Sequence, residues 1–259
     1  MEAFASPPPT KADAVYIEKH GRIAELVLNR PEVLNAENWA MAHAFHRALD
    51  ELEKNRETRA VIVRGEGRSF SSGVDLNALA AGELGIEWFR AFDEAMRRLE
   101  QLDCLTVAKV HGYALGGGLQ IAMACDLRVA SCDAKFGLPA VMESLIPGMG
   151  TYRLPRFIGL GRARRMVLTG EMIGADEAER IGLVDWAVSE GELDEKVHSV
   201  IADVLRGASG AQSFSKKLMT RAFESDFGDS MSLYLEFQKI ALGSEEHRRA
   251  MAEYRARKK

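Results

Sequence analysis

The chain has 259 residues, of which 47% are hydrophobic, and its 34 Lys and Arg against 38 Asp and Glu give a formal net charge of -4. Such a chain is long and apolar enough to bury a full core, as one large α/β domain or as a core with a small appendage. A slight acidic excess gives no general attraction to nucleic acid or to an anionic membrane surface. No uninterrupted apolar run reaches about 18 residues, so a membrane span is not expected either.

Two features bear on the compartment. Residues 1–13 form a Pro-rich polar start with no charged-then-apolar leader, which predicts a flexible N-terminal tail. The cysteines Cys104, Cys125 and Cys132 are odd in number and show no CxxC spacing. They lie in apolar or small-residue contexts typical of buried free thiols. These features favour a reducing, cytoplasmic location.

In chain order, residues 15–29 predict a hairpin of two strands, and Asn38 is the predicted cap of a helix that runs to about Asn55. The next predicted elements are a buried strand over 60–65, a polar loop containing SFSSGVDL (69–76), a helix over 87–101, a buried strand over 105–110, a helix over 119–125 and a strand over 127–130. Strands that alternate with helices predict a layered α/β core, here residues 14–200.

After Pro155 the pattern becomes mostly helical. The predicted helices cover residues 162–168, 176–181, 193–205, 213–223 and 231–257. We therefore expect residues 201–259 to form a helical C-terminal region.

The stretch GYALGGGLQIAMACDLRVAS (112–131) places three glycines between a predicted strand and a predicted helix. It is a poor dinucleotide fingerprint, because Ile121 stands where the third glycine belongs and no acidic strand end follows. A serine hydrolase would need G-x-S-x-G, and the nearest approach, G-R-S-F-S from Gly67, lacks the second glycine. The remaining interpretation is that backbone N–H groups at the start of a helix face a carbonyl oxygen.

Several motifs in order along the chain carry a resemblance: LNRPEVLNA (28–36), SFSSGVDL (69–76), VHGYALGGGLQIAMACDLRVAS (110–131) and FGLPAVMESLIPGMGTYRLPR (136–156). Together they resemble the crotonase superfamily, of which enoyl-CoA hydratase is the best-known member. The resemblance implies a spiral of β-β-α turns and a helical C-terminal region that forms a homotrimer or a dimer of trimers. It also implies an acyl-CoA thioester as ligand, with coenzyme A as part of the substrate and no further cofactor.

Carried onto this sequence, the resemblance implies that two backbone N–H groups bind the thioester oxygen, those of Ser72 and Gly117. Gly73, Val74 and Asp75 would then line the substrate site. From the residue type alone, an Asp at a position such as Asp75 more often orders its turn by hydrogen bonding than takes part in catalysis. Gly116 and Gly118 are expected to allow close packing. Apart from His43 and His46, in an ordinary amphipathic helix, the histidines show no metal-ligand spacing, and His111 is expected to be structural.

The departures from the family pattern bear on the reaction. The hydratases carry two glutamates where this chain has Gln120 and Ala140. An amide cannot accept a proton as a carboxylate does, so two-glutamate hydration is not expected. Glu143, three residues beyond Ala140, would share its face of a helix and is the candidate single base, as a double-bond isomerase requires. Alternatively it is solvated or pairs with Arg153 or Arg156.

Other interpretations of the function remain. A decarboxylase or ring hydrolase of the superfamily would form the same enolate, and a non-catalytic acyl-CoA-binding protein would keep the pocket without an acid. Glu83 and Glu87 are further candidate acids in the predicted wall of the acyl pocket, residues 77–89. Basic residues on the later helices are candidate partners for the CoA phosphates, although exposed helices normally carry such charges: Arg162, Arg164, Arg165, Lys216 and Lys217.

Overall fold

The computed structural model describes residues 9–257, so residues 1–8 of the predicted tail lie outside the described residues. Nine strands are described there: β1 (Val15–His20), β2 (Ile23–Leu28), β3 (Ala60–Gly65), β4 (Leu105–Val110), β5 (Tyr113–Leu115), β6 (Leu127–Ser131), β7 (Lys135–Gly137), β8 (Met172–Gly174) and β9 (Trp186–Val188). The predicted hairpin and the predicted strands over 60–65, 105–110 and 127–130 are confirmed.

Eleven α-helices are described in the same range: α1 (Trp39–Lys54), α2 (Leu76–Ala80), α3 (Ile86–Gln101), α4 (Gly117–Ala124), α5 (Gly150–Ile158), α6 (Leu160–Thr169), α7 (Ala175–Arg180), α8 (Leu193–Arg206), α9 (Ser209–Arg221), α10 (Phe227–Gly243) and α11 (Glu245–Arg257). The Asn38 side chain accepts a hydrogen bond from the Met41 amide, which confirms the predicted cap of α1.

The strands form two sheets. The larger has the order β1-β2-β3-β4-β6-β9 and is parallel apart from the β1–β2 hairpin, and the smaller has the order β5-β7-β8. Single bridges extend the smaller layer, because Ser71 pairs with Ala114 and Glu37 with Val74. Successive turns of chain thus visit the large sheet, then the small layer, then a helix, which is the β-β-α spiral that the family resemblance implied.

Both faces of the large sheet are buried, as expected of parallel strands covered by helices. In β3, Val61 and Val63 face the main core, whereas Ala60 and Ile62 face a second cluster. Helix α8 covers that second face with Val197, Val200, Ile201 and Val204. The predicted boundary between residues 200 and 201 therefore falls inside a helix that packs on the core.

The C-terminal helices after α8 pack less deeply against the core than α8 does. Lys216 of α9 is 4% exposed, and its Nζ donates to Asp126 Oδ2 at 2.8 Å and to the Cys104 carbonyl at 3.1 Å. The predicted single helix over 231–257 is wrong, because the chain divides at Ser244, whose Oγ accepts the His247 amide and caps α11. No residue of α10 or α11 is buried.

Within residues 9–257 no helix has the length and apolar character needed to cross a membrane. The three cysteines are free, with Cys104 and Cys125 buried and Cys132 exposed. The prediction of buried thiols thus holds for two of them.

Candidate active site

A cavity of about 460 Å³ opens where the two sheets end beside α3 and α4. Its walls come from residues 32–37, 68–77, 88–93, 116–120 and 139–148. The residues predicted to bind substrate, together with the candidate base Glu143, all line this cavity: Ser72, Gly73, Val74, Asp75, Gly117, Gln120, Ala140 and Glu143.

Backbone pairing brings the two glycine-containing turns together. The Ser71 amide donates to the Tyr113 carbonyl at 2.8 Å, and the Leu115 amide donates to the Ser71 carbonyl at 3.0 Å. Gly73 has a φ of +90° and lies so close to the second turn that a Cβ there would be 2.8 Å from the Leu115 carbonyl oxygen. The same Cβ would be 3.4 Å from the Gly117 amide nitrogen. Residues 73 and 74 thus lie directly beside the start of α4.

The amide of Ser72 is not the one available to a ligand. It donates to the Leu34 carbonyl at 2.9 Å, so its single N–H is already engaged, and the prediction for Ser72 as an oxyanion donor is wrong. Among the described residues, the amides of Val74 and Gly117 have no acceptor. Gly117 is the first residue of α4, where N–H groups have no partner within the helix. The pair of open donors is therefore Val74 with Gly117.

Each glycine of the triple has a separate structural reason. Gly116 has a φ of +53°, which favours glycine. A Cβ at Gly118 would be 2.5 Å from the Ser71 carbonyl oxygen, and one at Gly117 would be 1.7 Å from Glu37 Oε2. The predicted packing role of Gly118 is thus confirmed. Helix α4 begins at Gly117, two residues earlier than predicted, although glycine is a weak helix former.

Glu37, which the sequence analysis missed, is a buried acid behind these glycines. Its side chain is 1% exposed, and burial raises its pKa to about 8. Ser71 Oγ lies 2.9 Å from Glu37 Oε1 and 3.0 Å from the Asn35 carbonyl. The Ser71 hydroxyl donates to Glu37 Oε1, which favours the carboxylate and lowers the pKa, but the effect of burial is larger. Burial therefore holds Glu37 as a neutral acid near pH 7.

Asp75 orders its turn, as the residue type predicted. Its Oδ1 accepts the Asn77 and Ala78 amides at the start of α2, and its Oδ2 pairs with Arg30 Nη1 at 3.0 Å. Burial opposes ionisation, but these hydrogen bonds and the Arg30 charge hold the pKa of Asp75 below its usual value. Asp75 is thus an ionised structural group at the rim.

The two positions of the usual glutamates do face the cavity. Gln120 lies on α4 and is 6% exposed, and among the described residues its Oε1 is buried without a hydrogen-bond partner. Ala140 lies on a 3₁₀ helix, Pro139–Glu143. Neither side chain can take up a proton near neutral pH.

Glu143 lies one 3₁₀ turn beyond Ala140, and both line the cavity, but Glu143 is exposed. Its two candidate partners are engaged elsewhere: Arg153 Nε donates to Glu100 Oε1, and Arg156 donates to the Tyr152 carbonyl. The described residues show no ion pair to Glu143. It is a solvated carboxylate at the rim.

Asp93 of α3 is a second cavity acid that the sequence analysis missed. A signal was present, since Phe89 and Met96, four residues before and three after it, place it on the apolar stripe of an amphipathic helix. Burial raises the pKa of Asp93, against the opposing charge of Arg153. Glu83 and Glu87, the acids that were considered in this region, do not line the cavity.

The apolar wall also comes from α3. Trp88 and Phe92 stack with ring centroids 5.4 Å apart, and Phe89 packs edge-on against Trp88 at 5.0 Å. All three line the cavity, which places an apolar wall within the predicted 77–89 segment and just beyond it.

The basic residues on the later helices do not line the cavity. Lys216 is buried against Asp126, Lys217 pairs with Asp103, and Arg165 pairs with Glu171. In the part of the chain that the structure describes, the cation that does line the cavity is Arg68, an exposed residue at its rim.

Comparison with known proteins gives a family. Residues 18–259 match the family model described as enoyl-CoA hydratase/isomerase. The chain is 35% identical over 253 residues to a short-chain-enoyl-CoA hydratase of Clostridium acetobutylicum, which covers 95% of each chain. It is 32% identical to a crotonyl-CoA hydratase of Syntrophomonas wolfei, covering 95% of this chain and 96% of that one.

Solved structures agree. A putative enoyl-CoA hydratase from Streptomyces coelicolor A3(2) superposes with a TM-score of 0.91 and 28% identity, covering 99% of this chain and 96% of the other. A putative enoyl-CoA hydratase from Thermobifida fusca, solved in complex with CoA, gives a TM-score of 0.82 and 28% identity, covering 91% and 97%. The crotonase-like fold that the motifs predicted is confirmed.

Proposed function

Because the chain belongs to the enoyl-CoA hydratase/isomerase family, we propose that its cavity binds an acyl-CoA thioester and stabilises the enolate of that thioester. The observation that carries the proposal is the pair of open backbone donors, Val74 and Gly117, in neighbouring turns of one cavity wall. Fixed amides that face a developing oxyanion are among the largest contributions to catalysis, because they need no reorganisation during the reaction.

The electrostatics support an oxyanion at this place. Gly117 begins α4, and the N-terminus of a helix carries a partial positive charge that favours an anion. Glu37, the nearest carboxyl group to Gly117, is held neutral by burial, so it does not oppose a negative charge on the thioester oxygen.

The apolar side chains of Trp88, Phe89 and Phe92 suit the acyl group, and Arg68 at the rim suits a CoA phosphate. In this proposal the thioester lies between the apolar acyl group and the charged CoA. The turns of Val74 and Gly117 line the same cavity as the aromatic side chains and Arg68.

The reaction that fits is a proton shift with a single base rather than two-glutamate hydration. Gln120 and Ala140 lack the carboxylates that would activate and deliver a water. An enolate needs only one group that removes a proton from carbon and returns it, which is the chemistry of a double-bond isomerase. A protein that binds acyl-CoA without turnover is the second candidate, favoured by the same two substitutions.

We extend the proposal to the assembly, a homotrimer or a dimer of trimers. The C-terminal helices carry exposed apolar side chains that a second copy would cover: Phe227, Met231, Leu235, Ile240 and Leu242. Light scattering coupled to size exclusion tests this, and a monomer at micromolar concentration would contradict it.

The test of the enolate uses hydrogen exchange at carbon. Wild-type protein with butyryl-CoA in D₂O should exchange the α-protons, as seen by mass spectrometry, and should hydrate crotonyl-CoA slowly or not at all. Val74→Pro removes an N–H that has no described acceptor, whereas Val74→Ala keeps it. We expect the Pro variant to lose about 100-fold or more in exchange rate and the Ala variant to lose little.

Equal exchange by the two Val74 variants would contradict the oxyanion role of that amide. Tight binding of a panel of acyl-CoA thioesters without exchange would favour the binding protein. Fast hydration of crotonyl-CoA would show that Gln120 and Ala140 do not disable that reaction.

A further inference from the structure

Among residues 9–257, five carboxylates line the cavity: Glu32, Glu37, Asp75, Asp93 and Glu143. Four of them have another place or partner. Glu32 and Glu143 are exposed at the rim, Asp75 caps α2 and pairs with Arg30, and Glu37 lies behind Gly117 in a hydrogen-bond network with Ser71. Asp93 is the carboxylate that remains inside the cavity wall.

The two oxygens of Asp93 differ in their surroundings. Oδ1 accepts a long hydrogen bond of 3.4 Å from the Met149 amide and lies 3.7 Å from Arg153 Nη1. Oδ2 has no hydrogen-bond partner among the described residues. Arg153 donates its stronger hydrogen bond, 2.5 Å, to Glu100 instead. One oxygen of Asp93 is therefore free to take up a proton.

Asp93 Oδ2 and the Gln120 amide both lie against Gly148 in the cavity wall. A Cβ at Gly148 would be 3.1 Å from Asp93 Oδ2 and 3.4 Å from Gln120 Nε2, so both side chains approach the backbone closely at this glycine. Gln120 Oε1 is buried without a described partner. A buried amide oxygen without a partner costs free energy unless a ligand or water supplies a donor. Asp93 and Gln120 thus lie together in the cavity wall, each with an oxygen that has no described hydrogen-bond partner.

We propose that Asp93 is the catalytic base of this cavity and that Gln120 positions the group on which it acts. The proposal rests on the proposed enolate chemistry. Asp93 takes a proton from the α-carbon of a 3-enoyl-CoA, and the electrons of that C–H bond form the enolate held by Val74 and Gly117. The carboxylic acid then returns the proton to the γ-carbon as the double bond moves to the 2,3 position. One bond to hydrogen breaks and one forms, so no co-reactant is needed.

Asp93 corresponds to neither of the two usual glutamates, because it reaches the cavity from α3 rather than from α4 or the 139–143 turn. It also gives Gln120 a positive role. An amide can hold a water or a substrate hydrogen-bonding group without competing for the proton.

The experiment measures exchange of butyryl-CoA α-protons in D₂O and isomerisation of a 3-enoyl-CoA, with butyryl-CoA affinity measured separately. Asp93→Asn should lower both rates by about 100-fold or more while the dissociation constant changes by less than about threefold. Glu94→Gln, the same charge change on the exposed neighbour outside the cavity, should leave both rates unchanged. Glu143→Gln should leave them within about threefold of wild type if Asp93 is the base.

A second variant separates chemistry from structure. Asp93→Ala leaves a small space, in which added formate can supply a carboxylate. Formate should therefore raise the exchange rate of this variant at least tenfold. Full rates in Asp93→Asn, loss in Glu143→Gln alone, or no formate rescue in an Asp93→Ala protein that binds butyryl-CoA normally would each overturn the assignment. A wild-type protein that binds butyryl-CoA without exchange would instead overturn the enolate proposal and, with it, this one.

Discussion

The carboxyl group of Glu37 occupies the volume that any side chain at residue 117 would need, since a Cβ there would lie 1.7 Å from Glu37 Oε2 and 2.5 Å from its carboxyl carbon. The buried acid and the glycine whose amide faces the cavity are therefore a matched pair. A side chain at residue 117 is tolerated only when the carboxyl group of Glu37 is removed.

Gly117→Ala should destabilise the protein by about 3 kcal/mol, because the new methyl group overlaps a buried carboxyl group. In a Glu37→Ala background the same change should cost less than about 1 kcal/mol, since the obstacle is gone. Urea denaturation of the four proteins in this double-mutant cycle gives the coupling free energy. Gly118→Ala is the comparison: its obstacle is the Ser71 backbone carbonyl at 2.5 Å, so Glu37→Ala should not relieve it. If the losses of unfolding free energy from the substitutions at 37 and 117 are additive, the two residues are not a matched pair.

Glu37→Gln should remove a pH dependence of stability. In the folded chain the pKa of Glu37 is about 8, against an ordinary value of 4.5, so between these values the folded state keeps a proton that the unfolded state has lost. The free energy of unfolding of the wild type should then fall as pH rises through this window, by about 1.4 kcal/mol per pH unit for one proton. The Gln variant, whose amide oxygen can accept from Ser71 as the carboxyl oxygen does, should lack that slope. Urea denaturation at pH 5.5, 6.5 and 7.5 measures it, with exposed Glu32→Gln as control; equal slopes in wild type and Glu37→Gln would mean that Glu37 ionises normally.

Lys216→Met should destabilise the protein by about 3 kcal/mol, because it removes the buried ammonium group that pairs with Asp126 and leaves that carboxylate with only its Thr106 hydrogen bonds. Lys217→Met, one residue later, removes a half-exposed pair with Asp103 and should cost less than about 1 kcal/mol. Thermal and urea denaturation compare the two. Equal costs would show that α9 is not anchored through Lys216.

Gln120→Glu combined with Ala140→Glu should raise the rate of crotonyl-CoA hydration by about tenfold or more, because both positions line the cavity and a pair of carboxylates can then activate a water and move its proton. Either single change should give less. The assay is loss of crotonyl-CoA absorbance, with butyryl-CoA binding as the check that the cavity is intact. A double variant that binds but hydrates no faster would mean that the loss of the glutamates is not what limits hydration.

Much of this fold follows from local patterns. Alternation and apolar runs locate the hairpin, the parallel strands and α1 with its Asn38 cap, because each depends on residues near one another in the chain. The very short strands β5, β7, β8 and β9 were not predicted. Three residues give too little periodicity, and these strands exist because a distant strand pairs with them.

The candidate site likewise has parts that local sequence patterns predict and parts that depend on distant residues. The glycine turns were found because glycine marks an unusual backbone, but which amide is open depends on a distant acceptor: the Leu34 carbonyl engages Ser72 and leaves Val74 free. Glu37 and Asp93 were missed because a carboxylate in a sequence is most often exposed. Only the fold shows that α4 buries the first and that the chain at Gly148 approaches the second.

Ser71 joins both sides of the cavity wall, since its amide and carbonyl pair with β5, its hydroxyl contacts Glu37, and its carbonyl oxygen abuts Gly118. The spacing of the two open amides is therefore inherited from the strand pairing itself and cannot be adjusted by side-chain substitution. A change of acyl-group specificity, by evolution or by design, would therefore require substitutions in α3 and the 139–148 segment, where side chains can change without altering the strand pairing.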